Sequence, residues 1–368
     1  MTSTDVWQKL PLGGVDRRQL SQRMPVDGPR IAVEDLARDL ERTQASGLPF
    51  AKDQAVLLLG GSGGILRSLA IHLLFGEGLP VYAVHYDSEK LQVGAHHARA
   101  ITQEAERRGV ACQFFNADAT KPETARTVID AIKGKHRVVH LINGIAAGAT
   151  KRFEEHGPTQ VQDIDVEFDL IRQIADFTRW SALRKVGKVE VEVATQADID
   201  RTYKFMGHST TPWAEALAGE GLLVRGESVV AFADYDYEPD DPVYAMGPLA
   251  QAKVLQRQAM DRIRDQYGVR TVRLCYPAMN TTALGAIPGG LLMYAGTTQL
   301  LVEQGTYASV HELARQTLPV LAGTDQSSEP RYDAHFQRIL PEFHRLKSTL
   351  TPENVRERLS RVFENPSL

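Results

Sequence analysis

Residues 54–66 read QAVLLLGGSGGIL, and the fold turns on that stretch. QAVLLL is continuously apolar rather than alternating, the pattern of a strand covered on both faces in a parallel sheet. The glycines stop it abruptly, and residues 66–75 (LRSLAIHLLF) have helical spacing. Strand, glycine turn and helix in that order form a cradle for a pyrophosphate. Glycines allow a tight turn and close backbone approach, and the helix N-terminus offers free N–H groups with a partial positive charge. Gly60, Ser62, Gly63, Gly64 and Ile65 are the candidate phosphate-contacting positions. The bland alternative is a glycine-rich strand–helix turn with no ligand.

Outward from this point the alternation repeats. Residues 80–86 read as a strand, 91–108 as a helix, 110–115 as a strand, 121–133 as a helix and 136–142 as a strand. Repeated β-α pairs joined by right-handed crossovers predict an α/β fold: a Rossmann-type, doubly wound parallel sheet with helices on both faces. Upstream, residues 1–33 read as an arm rich in Arg, Gln, Pro and Gly, and 33–43 as a short charged helix. Downstream, 144–188 is longer and more polar and breaks the pattern. A short alternating strand follows at 189–194, then a helix at 195–206 with Thr195 as N-cap, and an amphipathic helix at 213–223. The sheet resumes with strand 227–234, helix 248–267 and strand 270–276. Helices follow at 287–304, either buried or covering substrate, and at 311–322, and the remainder is charged and mostly helical. The expected organisation is an arm and helix over 1–50, a single Rossmann-type domain over 51–345 with an insertion at about 144–223, and a helical extension over 346–368.

Composition narrows the class. A chain of 368 residues, 43% hydrophobic and 24% charged, suits a globular enzyme. The net charge of -4 comes with no dense basic stretch, so no nucleic-acid partner is expected. No stretch reaches the roughly 20 apolar residues of a membrane span, and MTSTDVWQKLPLGG lacks the apolar core of a signal peptide. Cys112 and Cys275 lie in apolar runs and read as buried, reduced thiols, which makes the cytoplasm the expected compartment. His85, His96, His97 and His140 have no metal-ligand spacing. The acidic stretch Asp234, Asp236, Glu238, Asp240 and Asp241 lacks the glycine and terminal glutamate of a calcium loop, so no metal is expected. A carboxylate there could bind a cationic substrate group, which keeps Asp234 as a candidate site residue.

Further candidates follow the strand ends. Asp87 closes VYAVHYD, where a carboxylate accepts from both ribose hydroxyls and repels a 2′-phosphate, favouring NADH over NADPH. Asp118, with Ala119 in NADAT, stands where an adenine contact is expected, or else caps the next helix. Tyr244 and Lys253 form Y-x8-K. A reductase needs an acid near the forming oxyanion, and a phenol with an ordinary pKa of about 10 needs a nearby cation to act as one. Lys253 supplies it and can also hold the nicotinamide ribose. Residues nine apart on a straight helix point about 180° away from each other. Pro248, favoured in a first turn, solves this by starting the helix after Tyr244. Thr281 and Thr282, in YPAMNTTALGAIPGG, follow the next strand and can reach the nicotinamide carboxamide, or simply cap a helix.

These segments together resemble the FabV-type enoyl-ACP reductase and trans-2-enoyl-CoA reductase family of the extended short-chain dehydrogenase/reductase superfamily. The likeness runs in order through GGSGGI, VHYD, NADA, INGIAAGATKR, the Y-x8-K pair and TTALGAIP. VEVATQADIDRTYKFMG, at 191–207, is its most specific stretch. The resemblance covers roughly residues 30–345 and implies NADH-dependent reduction of the α,β double bond of an enoyl thioester, carried on acyl carrier protein or coenzyme A. It implies that Tyr244 stabilises or protonates the enolate, that Lys253 holds the ribose, and that Ala119, Asn143 and Gly144 line the cofactor. The chain departs from the family in places. Leu66 stands at the last loop glycine, where it is expected to crowd the pyrophosphate. Asp234 stands at a second tyrosine, with Tyr235 beside it as a substitute, and Ala149-Thr150 replace an arginine pair, with Lys151-Arg152 following. A specialised biosynthetic member is implied, a monomer or small homo-oligomer. Two other readings stand beside it: a ketone, imine or alcohol oxidoreductase on a polar substrate, favoured by Asp234, and a non-redox protein, favoured by Leu66.

Overall fold

A computed structural model describes residues 8–10, 17–87, 92–172, 174–235, 237, 241–281, 283–332 and 336–364. The strands are β1 (Gln54–Leu59), β2 (Val81–His85), β3 (Cys112–Asn116), β4 (Val138–Asn143), β5 (Thr159–Val166), β6 (Leu183–Val191), β7 (Val229–Tyr235) and β8 (Arg270–Tyr276). Six of them form one parallel sheet in the order β8-β7-β4-β1-β2-β3. The chain leaves β1 toward β2 on one side and returns to β4 on the other, which opens a crevice at the C-terminal ends of β1 and β4.

The helices are α1 (Arg17–Glu41), α2 (Gly64–Ile71), α3 (Val93–Arg108), α4 (Pro122–Ile132), α5 (Gln196–Thr202), α6 (Thr210–Gly219), α7 (Pro248–Tyr267), α8 (Gly290–Glu303), α9 (Val310–Leu321) and α10 (Phe336–Thr349). Strand β1 explains its own composition. Val56 and Leu58 face the core under α2, α3 and α9, while Ala55, Leu57 and Leu59 face the core under α4, α6 and α7. Each face needs its own apolar residues, so alternation disappears.

Two regions differ from expectation. The arm is in large part a helix: α1 runs through Pro25 and Pro29. Prolines remove helical hydrogen bonds, but α1 buries Leu20, Met24, Ile31, Ala32 and Leu36. It also comes close to α3 at Gly28, where a Cβ would stand 2.6 Å from His96 Cδ2. Tertiary packing outweighs the local propensity. The second region is the polar stretch after β4, which contains β5 paired antiparallel with β6, and Gln8–Lys9 adds to β6 in parallel. TQVQDIDV looks polar, yet Val161 and Asp163 on one face and Ile164 and Val166 on the other are buried. The short strand expected at 189–194 is the end of the longer β6.

The β5–β6 hairpin, α8 and the C-terminal helices share a third core. Asp163 of β5 pins the start of α8, accepting from the Gly289 and Leu292 N–H groups at 2.9 and 3.0 Å. Thr195 caps α5 reciprocally with Asp198. Among the described residues no helix is long and apolar enough to cross a membrane.

Candidate active site

The glycine turn meets β4 backbone to backbone. Gly60 has φ +96°, and a Cβ there would stand 3.1 Å from the Gly144 carbonyl oxygen. Gly63 is the N-cap of α2 without any side-chain cap, and the space where its Cβ would stand is open. Gly63 and Gly64 are exposed. The first N–H groups of α2 therefore face an open crevice, and no side chain among the described residues caps them, which fits a pyrophosphate. Thr281 faces this turn from the loop after β8, its Cγ2 3.6 Å from the Cβ position of Gly64. Thr282 lies outside the described residues.

Two side chains at the turn point inward. Ile65 belongs to the core, so only its backbone can serve a phosphate. Leu66 is 1% exposed and packs under Gly144, where a Cβ would lie 2.5 Å from Leu66 Cδ1. It fills the core side of the turn and does not crowd the pyrophosphate side, contrary to expectation. The non-redox reading thereby loses its specific support.

At the end of β2, Asp87 and Ser62 converge on the start of α3. Asp87 Oδ2 accepts from Ala95 N–H at 2.6 Å, and a Cβ on Gly94 would stand 2.3 Å from Ser62 Oγ. Asp118 Oδ1 accepts from the Thr120 N–H and hydroxyl at 2.8 and 2.6 Å, a local turn; the N-cap of α4 is Lys121, so Asp118 does not take the capping role. The Ala119 carbonyl accepts from Trp213 Nε1 at 2.8 Å. Asn143 is buried and donates to Ser209 Oγ and Thr210 Oγ1, both at 2.8 Å, while its Oδ1 accepts from Ile145 N–H at 3.0 Å. Its side chain braces the loop after β4 and does not line the crevice. The basic residues after β4 are likewise engaged. Lys151 lies 3.2 Å from both Glu192 and Asp198, and buried Arg152 donates to the Val191 carbonyl.

The tyrosine site lies at the end of β7. Gly247 is the N-cap of α7 and Pro248 its first residue, so Tyr244 stands on the preceding turn. Asp241 Oδ1 orders that turn, accepting from the Val243 and Tyr244 N–H groups at 2.8 and 2.6 Å. The rings of Tyr235 and Tyr244 meet edge to face at 4.5 Å. Tyr237 stacks on Tyr244 at 6.0 Å. Burial pushes both the Tyr235 and Tyr244 phenols well above their ordinary range, and Asp241 adds to the effect at Tyr244.

Lys253 does not pair with Tyr244 directly. Its Nζ lies 3.0 Å from Asp234 Oδ1, donates to the Ala233 carbonyl at 3.2 Å, and stands 5.4 Å from the centre of the Tyr235 ring. Arg273 Nε donates to the other Asp234 oxygen at 2.7 Å. Burial alone would raise the Asp234 pKa, but the charges of Lys253 and Arg273 outweigh it and hold the carboxyl below its ordinary value. Asp234 was expected to meet a cationic substrate group; the cations it meets are internal. The ketone or imine reading loses the residue that favoured it. Arg273 had a signal in the sequence, a charge inside the apolar strand RTVRLCY, which requires a buried partner. Among the described residues no group of His, Cys, Asp and Glu could hold a metal ion.

An open phosphate cradle and a pair of packed phenols thus share the C-terminal edge of the sheet, an arrangement suited to pairing a nicotinamide with a proton donor. The sequence profile of the trans-2-enoyl-CoA reductase catalytic region matches residues 91–318. An NADH-dependent enoyl-[acyl-carrier-protein] reductase of Opitutus terrae is 25% identical over 309 residues, 80% of this chain and 76% of the relative. A trans-2-enoyl-CoA reductase of Clostridium acetobutulicum, solved with NADH, superposes with a TM-score of 0.73 at 19% identity, over 91% of this chain and 89% of that one. The Treponema denticola trans-2-enoyl-CoA reductase, solved with NAD, gives 0.71 at 20% identity, over 93% and 92%.

Proposed function

The chain belongs to the trans-2-enoyl-CoA reductase family, and from that premise we propose that it reduces the α,β double bond of an enoyl thioester with NADH. One observation carries the reading: the uncapped start of α2 and the Tyr235–Tyr244 pair stand at the same C-terminal edge of the parallel sheet. When bound, NADH supplies a hydride. The backbone from Ser62 to Ile65 would receive the pyrophosphate, Asp87 would hold the adenosine ribose, and Thr281 would serve the nicotinamide end.

The phenols act on the thioester side. Negative charge builds on the thioester oxygen only as the reaction advances, so a hydroxyl held there favours the transition state over the ground state. Tyr244 is fixed by Asp241 and Tyr237, and Tyr235 by the end of β7, so the donor is oriented before substrate arrives. The buried phenols remain protonated at neutral pH and are ready to donate.

The test is a titration with NADH and NADPH followed by nicotinamide fluorescence, then NADH consumption with an enoyl-CoA thioester. Wild type is expected to bind NADH in preference to NADPH and to consume it, and Asp87→Ala to lose the preference. No binding of either cofactor by wild type would remove the proposal.

A further inference from the structure

Lys253 already has partners for its charge. It comes from the second turn of α7, and its side chain is 4% exposed. An ammonium has three N–H donors and no acceptor. Asp234 and the Ala233 carbonyl face it at 3.0 and 3.2 Å, and the Tyr235 ring lies 5.4 Å away on another side. Asp234 is held in turn by Arg273 at 2.7 Å, and its side chain has no exposed surface. The anchors stand on β7 and β8, adjacent parallel strands in which Asp234 pairs with Cys275 and Phe232 with Arg273.

We propose that Asp234 is a positioning residue that, with Arg273, fixes Lys253 beneath Tyr235, so that Lys253 serves the Tyr235–Tyr244 pair and takes no part in binding the nicotinamide ribose. The inference rests on the reductase reading above. To reach a ribose, the ammonium would have to leave a buried carboxylate and a carbonyl for a more exposed partner, leaving Asp234 to Arg273 alone. Where it stands, it lies on the face of Tyr235, whose ring meets that of Tyr244 edge to face at 4.5 Å. A fixed cation there offsets negative charge gathering on the phenol pair as a proton leaves it, and it acts through Tyr235. Asp234 thus changes which partner the lysine serves.

Lys253→Met is the first variant, because it leaves Asp234 paired with Arg273 and no charge unmatched. NADH affinity is measured by nicotinamide fluorescence, and kcat and KM with an enoyl-CoA thioester. The NADH Kd is expected to stay within about twofold of wild type while kcat falls about tenfold or more, the mark of an interaction made in the transition state. A rise of about tenfold in NADH Kd would place Lys253 on the cofactor and overturn the proposal. Asp234→Asn alone leaves two buried cations facing each other and can fail to fold. Asp234→Asn combined with Arg273→Met keeps the buried net charge of wild type. That double variant is expected to lose kcat with NADH Kd unchanged, and Asp234→Glu to recover part of the rate. Wild-type kcat in the double variant would overturn the positioning role. Failure of the wild type itself to bind NADH would instead overturn the reductase reading and this inference with it, so the two failures are distinct.

Discussion

Gly247 and Gly63 show how differently two glycines of one site are constrained. A Cβ at Gly247 would stand 1.9 Å from the Lys151 carbonyl oxygen and 3.0 Å from that of Val243. Both are backbone atoms and cannot swing aside. Gly247→Ala must displace either the loop after β4 or the turn carrying Tyr244, at a cost of about 1–3 kcal/mol. Urea unfolding checks the stability, and kcat should fall at substrate saturation because Tyr244 moves; an unchanged kcat would detach that turn from the chemistry. Around Gly63 there is only open space. Gly63→Ala should leave stability within about 0.5 kcal/mol of wild type and raise the NADH Kd about tenfold, because the methyl group intrudes where the pyrophosphate approaches. At this scale the sequence discloses which residues stand near strand ends but not where their side chains turn. Leu66 and Asn143 sit beside the crevice in order, yet one faces the core and the other braces a loop. Lys253 was legible as a cation behind the tyrosines; its attachment to Asp234 depends on Arg273, which arrives from another strand.

At the scale of elements, legibility follows local punctuation. Helix α7 begins at Pro248 and ends against Gly268, at φ 64°, and both signals are written in the chain. Helix α1 and strand β5 carry no such signals. The first contradicts its prolines for the sake of a buried stripe, and the second hides buried residues on both faces among Gln and Asp. Both are decided by partners distant in sequence. The Asp163 contact is the clearest case, joining β5 to α8 across more than a hundred residues. Asp163→Ala would leave the Gly289, Leu292 and Ile164 N–H groups without this acceptor. The expected loss is about 2–4 kcal/mol, as for removal of a buried acceptor that leaves several donors unmatched. Hydrogen exchange should accelerate at Gly289 and Leu292 well before the sheet opens, whereas equal protection with and without the carboxylate would mean that α8 is held by its apolar face alone.

For the whole molecule, the buried histidines set a limit in acid. His97 lies between α1 and α2 with Arg67 beside it, His140 lies in β4 and accepts from Val229 N–H, and His72 stands against His311 of α9. Burial is the first cause of their lowered pKa values, to about 3 for His97 and about 4 for His140 and His72. A lowered histidine pKa means that the unfolded chain takes up a proton near pH 6.5 that the folded chain refuses. Stability from these groups is therefore complete above pH 6.5 and falls as the pH drops toward 4. Between pH 7 and pH 5, His97 and His140 each remove about 2 kcal/mol, and His72 acts in the same direction. Asp163 opposes them: burial pushes its carboxyl up to about 7, so the folded chain binds that proton more readily than the unfolded one. Its contribution over the same interval is about 2 kcal/mol in favour of the fold. The histidines outweigh it, and a net loss of about 2 kcal/mol or more is expected from pH 7 to pH 5, read as a lower urea midpoint. Asp163→Asn removes the opposing group and should make the decline between those two pH values steeper than in wild type. A parallel decline in both proteins would mean that Asp163 remains ionised in the fold, its three N–H donors prevailing over its burial.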